Sequence, residues 1–371
     1  MSTRFSIIGG GVAGLALANL FQQKGLSFHL YDKEPAPPTR GHGFLLQSEG
    51  VSWLSSLLNK PVANLPGQPV HVYSCYDHSG NLQIRHAMEP SLGISRAELI
   101  RCLSEHIAPE QLSFGKSLSS LQRSSNGVEH LTFEDGASIT PEFLIAADGI
   151  GSKVRESLFP QSRLLNLPQL EIVCTLQHPE VEKLPDHQLT KYHHAEGGRA
   201  LGLLKTAADT LIWYAQIDTL RFSSPDPSSN GIQTYMQRWF SGWCEQVSTI
   251  LTHSNFSNAH IWRIRELVNL PAYHSGNTAL LGDAAHPLIP LTSQGVLSAF
   301  KDAYFLNEIL NIEVSPVAAF NKYTSRRMRE MDHHHQNGKV MLENFNRPLC
   351  QQNLEVPLSF CGVVSALSSV A

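Results

Sequence analysis

The sequence predicts an α/β protein: a Rossmann-type domain interleaved with an antiparallel β-sheet domain, with helices at the C-terminal end. Three stretches of its 371 residues carry that reading. Residues 5–34 run strand, glycine-rich turn, helix and second strand. Leu167 to Asp218 turns to β texture, with EIVCTL, QLTKYHHAE, ALGLLKTA and TLIWYAQID separated by turn residues. From Thr278 the strand–turn–helix pattern returns.

In the first stretch, Phe5 to Ile8 reads as a short apolar strand, and Gly9, Gly11 and Gly14 have the G-x-G-x-x-G spacing. Val12 to Gln23 has helical periodicity, Gly25 breaks the helix, and Leu26 to Tyr31 is the second strand, closed by Asp32. Each part has a physical task. Gly9 permits the tight turn, Gly11 lets backbone approach a pyrophosphate, and Gly14 lets helix and strand pack closely. The free N–H groups at the helix start favour phosphate charge, and Asp32 can accept from a ribose diol. A dinucleotide ligand is the expectation.

Composition bounds the rest. Hydrophobic residues make up 42% and charged residues 16%, as in a globular chain. The balance of 28 basic to 32 acidic residues, a net charge of −4, argues against nucleic acid as a partner. Six scattered cysteines without a C-x-x-C pair suggest free thiols in a reducing compartment and offer no zinc framework. No basic segment precedes the first strand, and Gly9 to Gly11 interrupts its apolar run, so a cytoplasmic location is expected. No apolar stretch has the length of a membrane span.

After Asp32, the Pro35, Pro37 and Pro38 loop leads past His42, a residue that invites a covalent-flavin reading but is expected to be an ordinary loop histidine. Residues 51–58 read as helix, and Val70 to His86 as a hairpin turning at Ser79-Gly80. Residues 95–107 form an amphipathic helix capped by Ser95, with Arg96 in its first turn, where a cation hints at an anionic partner. Val128 to Phe133 and Phe143 to Ala147 read as strands, the latter running into Asp148-Gly149 and a Ser152-capped helix containing Arg155. Ile232 to Thr252 reads as one helix, with Tyr235, Trp239 and Trp243 as core. Thr278 to Leu281 is a strand ending in Gly282-Asp283-Ala284-Ala285-His286. The loop PLIPLTSQG follows, then helices over 296–310 and 317–345. The run His333-His334-His335 cannot converge on one metal ion, since neighbouring helical residues point about 100° apart. The domains expected are 1–70, 91–165 and 270–345 for the nucleotide, 71–90 and 166–269 for substrate, and a tail from 346 to 371.

Taken together, the glycine fingerprint with Asp32, the Ala147-Asp148-Gly149 to Arg155 segment, and the Gly282 to His286 motif resemble the group A flavoprotein monooxygenases. Pro290, Gln294-Gly295 and Asp302 complete the third signature, and Arg96 matches the family's arginine before its central helix. This is the family of para-hydroxybenzoate hydroxylase, and the likeness runs from residue 3 to about 330. It implies non-covalent FAD held by Gly9, Gly11, Ala13, Gly14, Asp32, Lys33, Arg40, Arg96, Asp148, Gly282, Asp283, Pro290, Gln294 and Gly295. It further implies NAD(P)H as a transient co-substrate, because only one fingerprint occurs, and O2 chemistry through a flavin C4a-hydroperoxide. The substrate expected is an aromatic or conjugated small molecule. His193, His194, Tyr192 and Tyr214 are candidates for a substrate base.

This chain departs from the family pattern in having Ser293 for a glycine, Leu297 for an asparagine and Lys301 for a glutamate. Ser293 is expected to be tolerated provided its φ is negative, Lys301 to lie on a solvated face, and Leu297 to face the flavin ring or substrate, which favours an apolar ligand. Two other readings are a flavin-dependent halogenase and a non-catalytic FAD-binding protein. The first is disfavoured because Ile212-Trp213-Tyr214-Ala215-Gln216-Ile217-Asp218 lacks the second tryptophan and the proline of W-x-W-x-I-P.

Overall fold

The computed structural model describes residues 4–38 and 41–354. Four parallel strands, Ser27–Tyr31, Arg4–Ile8, Phe143–Ala146 and Thr278–Leu280, lie side by side in that order in a six-stranded sheet. Leu112–Ser113 adds a parallel edge and His274–Ser275 an antiparallel one. The central strands are short apolar runs (Ile7, Leu30, Leu144, Ile145, Ala279, Leu280 all buried), as a sheet covered on both faces requires. The helices Val12–Gln23 and Gly295–Leu310 pack against each other over this sheet.

Eight strands form the second sheet, in the order His260–Val268, Arg163–Gln177, Thr210–Asp218, Arg199–Lys205, Gln188–His193, Gln68–Asp77, Leu82–Ser95 and Gly43–Leu46. It is antiparallel except where Gln188–His193 meets Gln68–Asp77. Two of its members carried no strand signal in the sequence: Gly43–Leu46, masked by flanking glycines, and His260–Val268, whose arginines break the alternation. Leu118–Ser124, Gly127–Phe133 and Ser138–Ile139 make a small third sheet.

The single helix expected over 232–252 is two, Ser229–Phe240 and Glu245–His253. Gly242, at φ +74°, turns the chain between them. Tyr235 and Trp243 are buried, and Trp239 packs against the same core, as the sequence predicts. The long helix Pro316–Asn346 is capped by Ser315, whose hydroxyl accepts from Ala318 N–H at 3.3 Å. Along its length Gly338 presses close to Ile289, where an added Cβ would lie 3.1 Å from Cδ1, and Phe345 joins a small apolar cluster with Ala200, Ile289 and Met341. Among the described residues no helix is long and apolar enough to cross a membrane, and five cysteines are unpaired.

Candidate functional site

The register of the parallel sheet builds the site. Ile8 pairs with Tyr31 and Ala146, and Ala146 with Leu280, so four strands end level. Gly9, Asp32, Asp148 and Gly282 therefore emerge together at the carboxyl edge, where open α/β sheets bind ligands. Gly9 is at φ +110°, and a Cβ there would sit 2.2 Å from Ala147 O. A Cβ on Gly14 would meet Gly9 O at 2.0 Å, which is the close helix–strand approach expected. A Cβ on Gly11 would meet nothing within 4 Å, which leaves open space above the uncapped start of the Val12–Gln23 helix. Asp32 accepts from Gly10 N–H and, at 2.8 Å, from Glu34 N–H; Lys33 beside it is exposed. Arg40 lies outside the described residues.

The Ala147-Asp148-Gly149 segment supplies an acceptor. Asp148 Oδ1 is buried without a hydrogen-bond partner, and burial raises the carboxyl's pKa. A buried carboxylate oxygen with no protein donor suits a ligand hydroxyl. Arg155, 1% exposed, crosses from this helix to the third motif, donating to Ile150 O (2.6 Å) and Ala284 O (3.0 Å).

In that third motif, Gly282 turns at φ +58°, and a Cβ there would lie 3.1 Å from Ala13 Cβ, so the motif seats directly on the fingerprint helix. Gly282 N–H donates to Asp302 Oδ2 (2.6 Å), which also binds His286 Nε2 (2.7 Å), while Arg327 Nε reaches Oδ1 (2.6 Å). All three side chains are buried. Burial alone would raise the Asp302 pKa; His286 and Arg327 outweigh it and bring it down to about 2. Asp283 reaches solvent, yet it lies deep among protein groups: burial raises its pKa against the pull of His286 and Arg96. Arg96 is exposed; its backbone N–H donates to His42 O at 2.6 Å, while its side chain has no hydrogen-bond or ion-pair partner among the described residues. Asp283 and Arg96 thus sit as an acceptor and a cation within electrostatic reach of each other. His42, next to Arg96, is half-buried, and burial, His260 and Arg96 lower its pKa to about 4.

The loop before Gly295 differs from expectation. Ser293 is at φ +52°, the left-handed region, because it ends the Pro290–Thr292 turn and must reverse the chain into the next helix. The condition under which serine would replace glycine without cost, a negative φ, is not met, and its backbone carries strain a glycine would not. Gln294 caps the helix without a side-chain bond, and its first turn holds no acid, so the Gly295 end presents free N–H groups. Gln47 braces the loop, donating to Ser293 O (3.3 Å) and accepting from Gln294 Nε2 (3.2 Å). Leu297 is buried at 7% exposure, with its Cδ1 3.4 Å from where a Gly50 Cβ would be. It packs on the helix Ser48–Leu58, since the third residue of this helix turns toward that neighbour. Lys301 is not a solvated face residue either; it bridges Glu49 (3.1 Å) and Glu330 (3.7 Å).

A family model described as an FAD binding domain matches residues 2–334. The chain is a group A flavoprotein monooxygenase. It is 26% identical to 3-amino-4-hydroxybenzoate 2-monooxygenase of Streptomyces cremeus, over 93% of this chain and 88% of that one. It is 24% identical to 6-hydroxynicotinate 3-monooxygenase of Pseudomonas fluorescens, over 83% of each. In fold it is similar to Klebsiella pneumoniae HpxO complexed with FAD and uric acid, with a TM-score of 0.80 at 21% identity, covering 96% of this chain and 90% of that one. The strand-end cradle at Gly11, the orphan acceptor on Asp148 and the free helix start at Gly295 fit FAD, the monooxygenase's cofactor.

The candidate bases of the monooxygenase divide by strand alternation. His193 and Tyr214 lie on one face of the eight-stranded sheet. Tyr192 and His194 lie on the other, Tyr192 donating to Gln246 Oε1 and His194 tilted against His78 (ring centroids 4.5 Å apart) beside Trp243. Burial lowers the His194 pKa to about 4. Tyr192 and His194 are thus packed under the helices, apart from the cofactor edge, because a period of two sends neighbours to opposite faces. Arg327 and Gln47 were missed by sequence reasoning. Neither sits in a motif, and only the fold brings them to Asp302 and Gln294.

Proposed function

We propose that this flavoprotein monooxygenase is reduced by NADH or NADPH and inserts one atom of O2 into an aromatic or conjugated small molecule. The observation that carries the reading is the convergence of three strand-end loops on one edge, with a free helix start at Gly295 facing the same edge. Bound FAD would supply the two-electron chemistry and the activation of O2. The chain's own work is positioning. Gly11 and the start of the Val12–Gln23 helix hold pyrophosphate charge, Asp32 a ribose diol, and Asp283 with Arg96 the ribitol and pyrophosphate side. The N–H groups at Gly295 stabilise negative charge on the flavin's N1–C2=O edge.

The small-molecule partners of relatives support an aromatic ligand: urate, hydroxybenzoate and hydroxynicotinate stand in their names. Leu297 no longer supports an apolar ligand, since it packs on Gly50. FAD is held without a covalent bond, and acid precipitation should leave the yellow colour in the supernatant. Colour retained in the pellet would point to His42. The deciding experiment measures NAD(P)H consumption by the FAD-loaded protein with and without a panel of phenols and hydroxylated heteroaromatics. Full FAD occupancy with no stimulated consumption by any member would sink the reading.

A further inference from the structure

Ser293, Leu297 and Lys301, the three departures from the family pattern around the cofactor loop, all meet one short stretch of chain. Gln47 donates to Ser293 O at 3.3 Å and accepts from Gln294 Nε2 at 3.2 Å. Leu297 Cδ1 lies 3.4 Å from where a Gly50 Cβ would be, and Lys301 Nζ reaches Glu49 at 3.1 Å. Residues 294, 297 and 301 are spaced three and four apart, so they share one stripe of the helix Gly295–Leu310 and its cap. Gln47 to Gly50 are the cap and first turn of the helix Ser48–Leu58. The two helices are therefore clasped, amide to loop at one end, apolar in the middle and ionic at the other.

The amide end is the one under strain. Ser293 sits at φ +52°, ψ +24°, its N–H donating to Pro290 O at 2.9 Å. A residue other than glycine persists there only where its surroundings over-determine it. Rotation of Ser293 to a negative φ would carry away its own carbonyl and the whole of Gln294. Those are the two groups that Gln47 grips. Gln47 is 4% and Gln294 6% exposed, so neither amide has water to replace its partner. The Ser48–Leu58 helix starts without a side-chain cap, because the Gln47 amide reaches across to the loop instead. The loop's own side-chain bond to this peptide is long, Gln294 N–H to Thr292 Oγ1 at 3.4 Å.

We propose that Gln47 is a positioning residue for the flavin: it locks the left-handed turn at Ser293 so that the free N–H groups at Gly295 stay aimed at the N1–C2=O edge, with Leu297 and Lys301 holding its helix in place. In this role it sets how strongly the protein favours reduced over oxidised flavin, because those N–H groups stabilise the charge gained on reduction. The proposal deepens the proposed function and rests on its placement of the flavin.

The test measures the midpoint potential of bound FAD by anaerobic reduction against a reference dye, without NAD(P)H or substrate. Gln47→Leu removes both bonds and adds no charge. It should favour reduced flavin about tenfold less than wild type, a fall of about 30 mV for a two-electron couple. In a Ser293→Gly background, where the turn needs no lock, the same substitution should shift the potential by less than about a third as much. Gln47→Asn, one methylene too short to reach both partners, should fall in the same direction and takes over if Gln47→Leu retains no FAD. An unchanged potential, or a fall as large with glycine at 293 as with serine, would overturn the proposal and leave Gln47 as packing between two helices. Loss of FAD from both Gln47 variants would overturn it as well, unless Ser293→Gly restores binding. The potential is read without turnover. The expected shifts in a protein that shows no stimulated NAD(P)H consumption would therefore sink the proposed reaction and leave the positioning role standing.

Discussion

Asp302→Asn probes the buried junction that holds the cofactor turn. Asp302 is fully buried and carries a pKa of about 2 against an ordinary 3.8. At about 1.4 kcal/mol per pH unit, that difference is worth about 2 kcal/mol of stability. Because folding lowers this pKa, the contribution is full above the unfolded value and fades as pH falls toward about 2; about half is gone by pH 3. Asparagine keeps the shape and an acceptor for Gly282 N–H but leaves Arg327 without its counter-charge, and breaking a buried pair costs ~3–5 kcal/mol. Urea denaturation at pH 7, at matched FAD loading, should show the variant less stable by about 2 to 5 kcal/mol. At pH 3 the gap should shrink by about 1 kcal/mol. A variant as stable as wild type at pH 7, or a gap that ignores pH, would refute the assignment of charge to this network.

Asp283→Ala should purify largely free of FAD with an unchanged far-UV circular dichroism spectrum; full flavin occupancy would remove Asp283 from the site. Asp32→Ala should weaken FAD by about 1–3 kcal/mol, read by fluorescence titration of the apoprotein, and an unaltered dissociation constant would leave Asp32 as a brace for Gly10 only. Ser293→Gly should raise stability by roughly 1 kcal/mol, since glycine accepts the left-handed turn that serine resists. A lower melting temperature would show that the serine side chain contributes more than its strain costs.

The nucleotide-binding half was legible because its rules are local. Gly9, Gly14 and Gly282 each answer a backbone demand that spacing reveals, and the level strand ends follow from the parallel pairing. The Ser293 conformation was not legible, because whether a loop residue turns left-handed depends on the helix it must enter. Nor were the partners of Asp302: Arg327 is one arginine among several on a long helix, and nothing nearby in sequence marks it. The sheet candidates could not be sorted from sequence. His193 and His194 look equivalent as a pair, yet alternation sends them to opposite faces.

The long helix Pro316–Asn346 works as a ruler. Arg327 fixes it to the cofactor turn, Gly338 to Ile289, and Phe345 to the apolar cluster that includes Ala200 of the eight-stranded sheet. Some 27 Å of axis, at about 1.5 Å per residue, therefore sets the offset between the dinucleotide edge and the opposite sheet. Removing one residue between Arg327 and Phe345 would shorten that offset by only about 1.5 Å but swing one end by about 100° against the other. Either the arginine would leave Asp302 or the phenylalanine would leave its apolar cluster. A single-residue deletion in this span should therefore lower stability far more than one in an exposed loop.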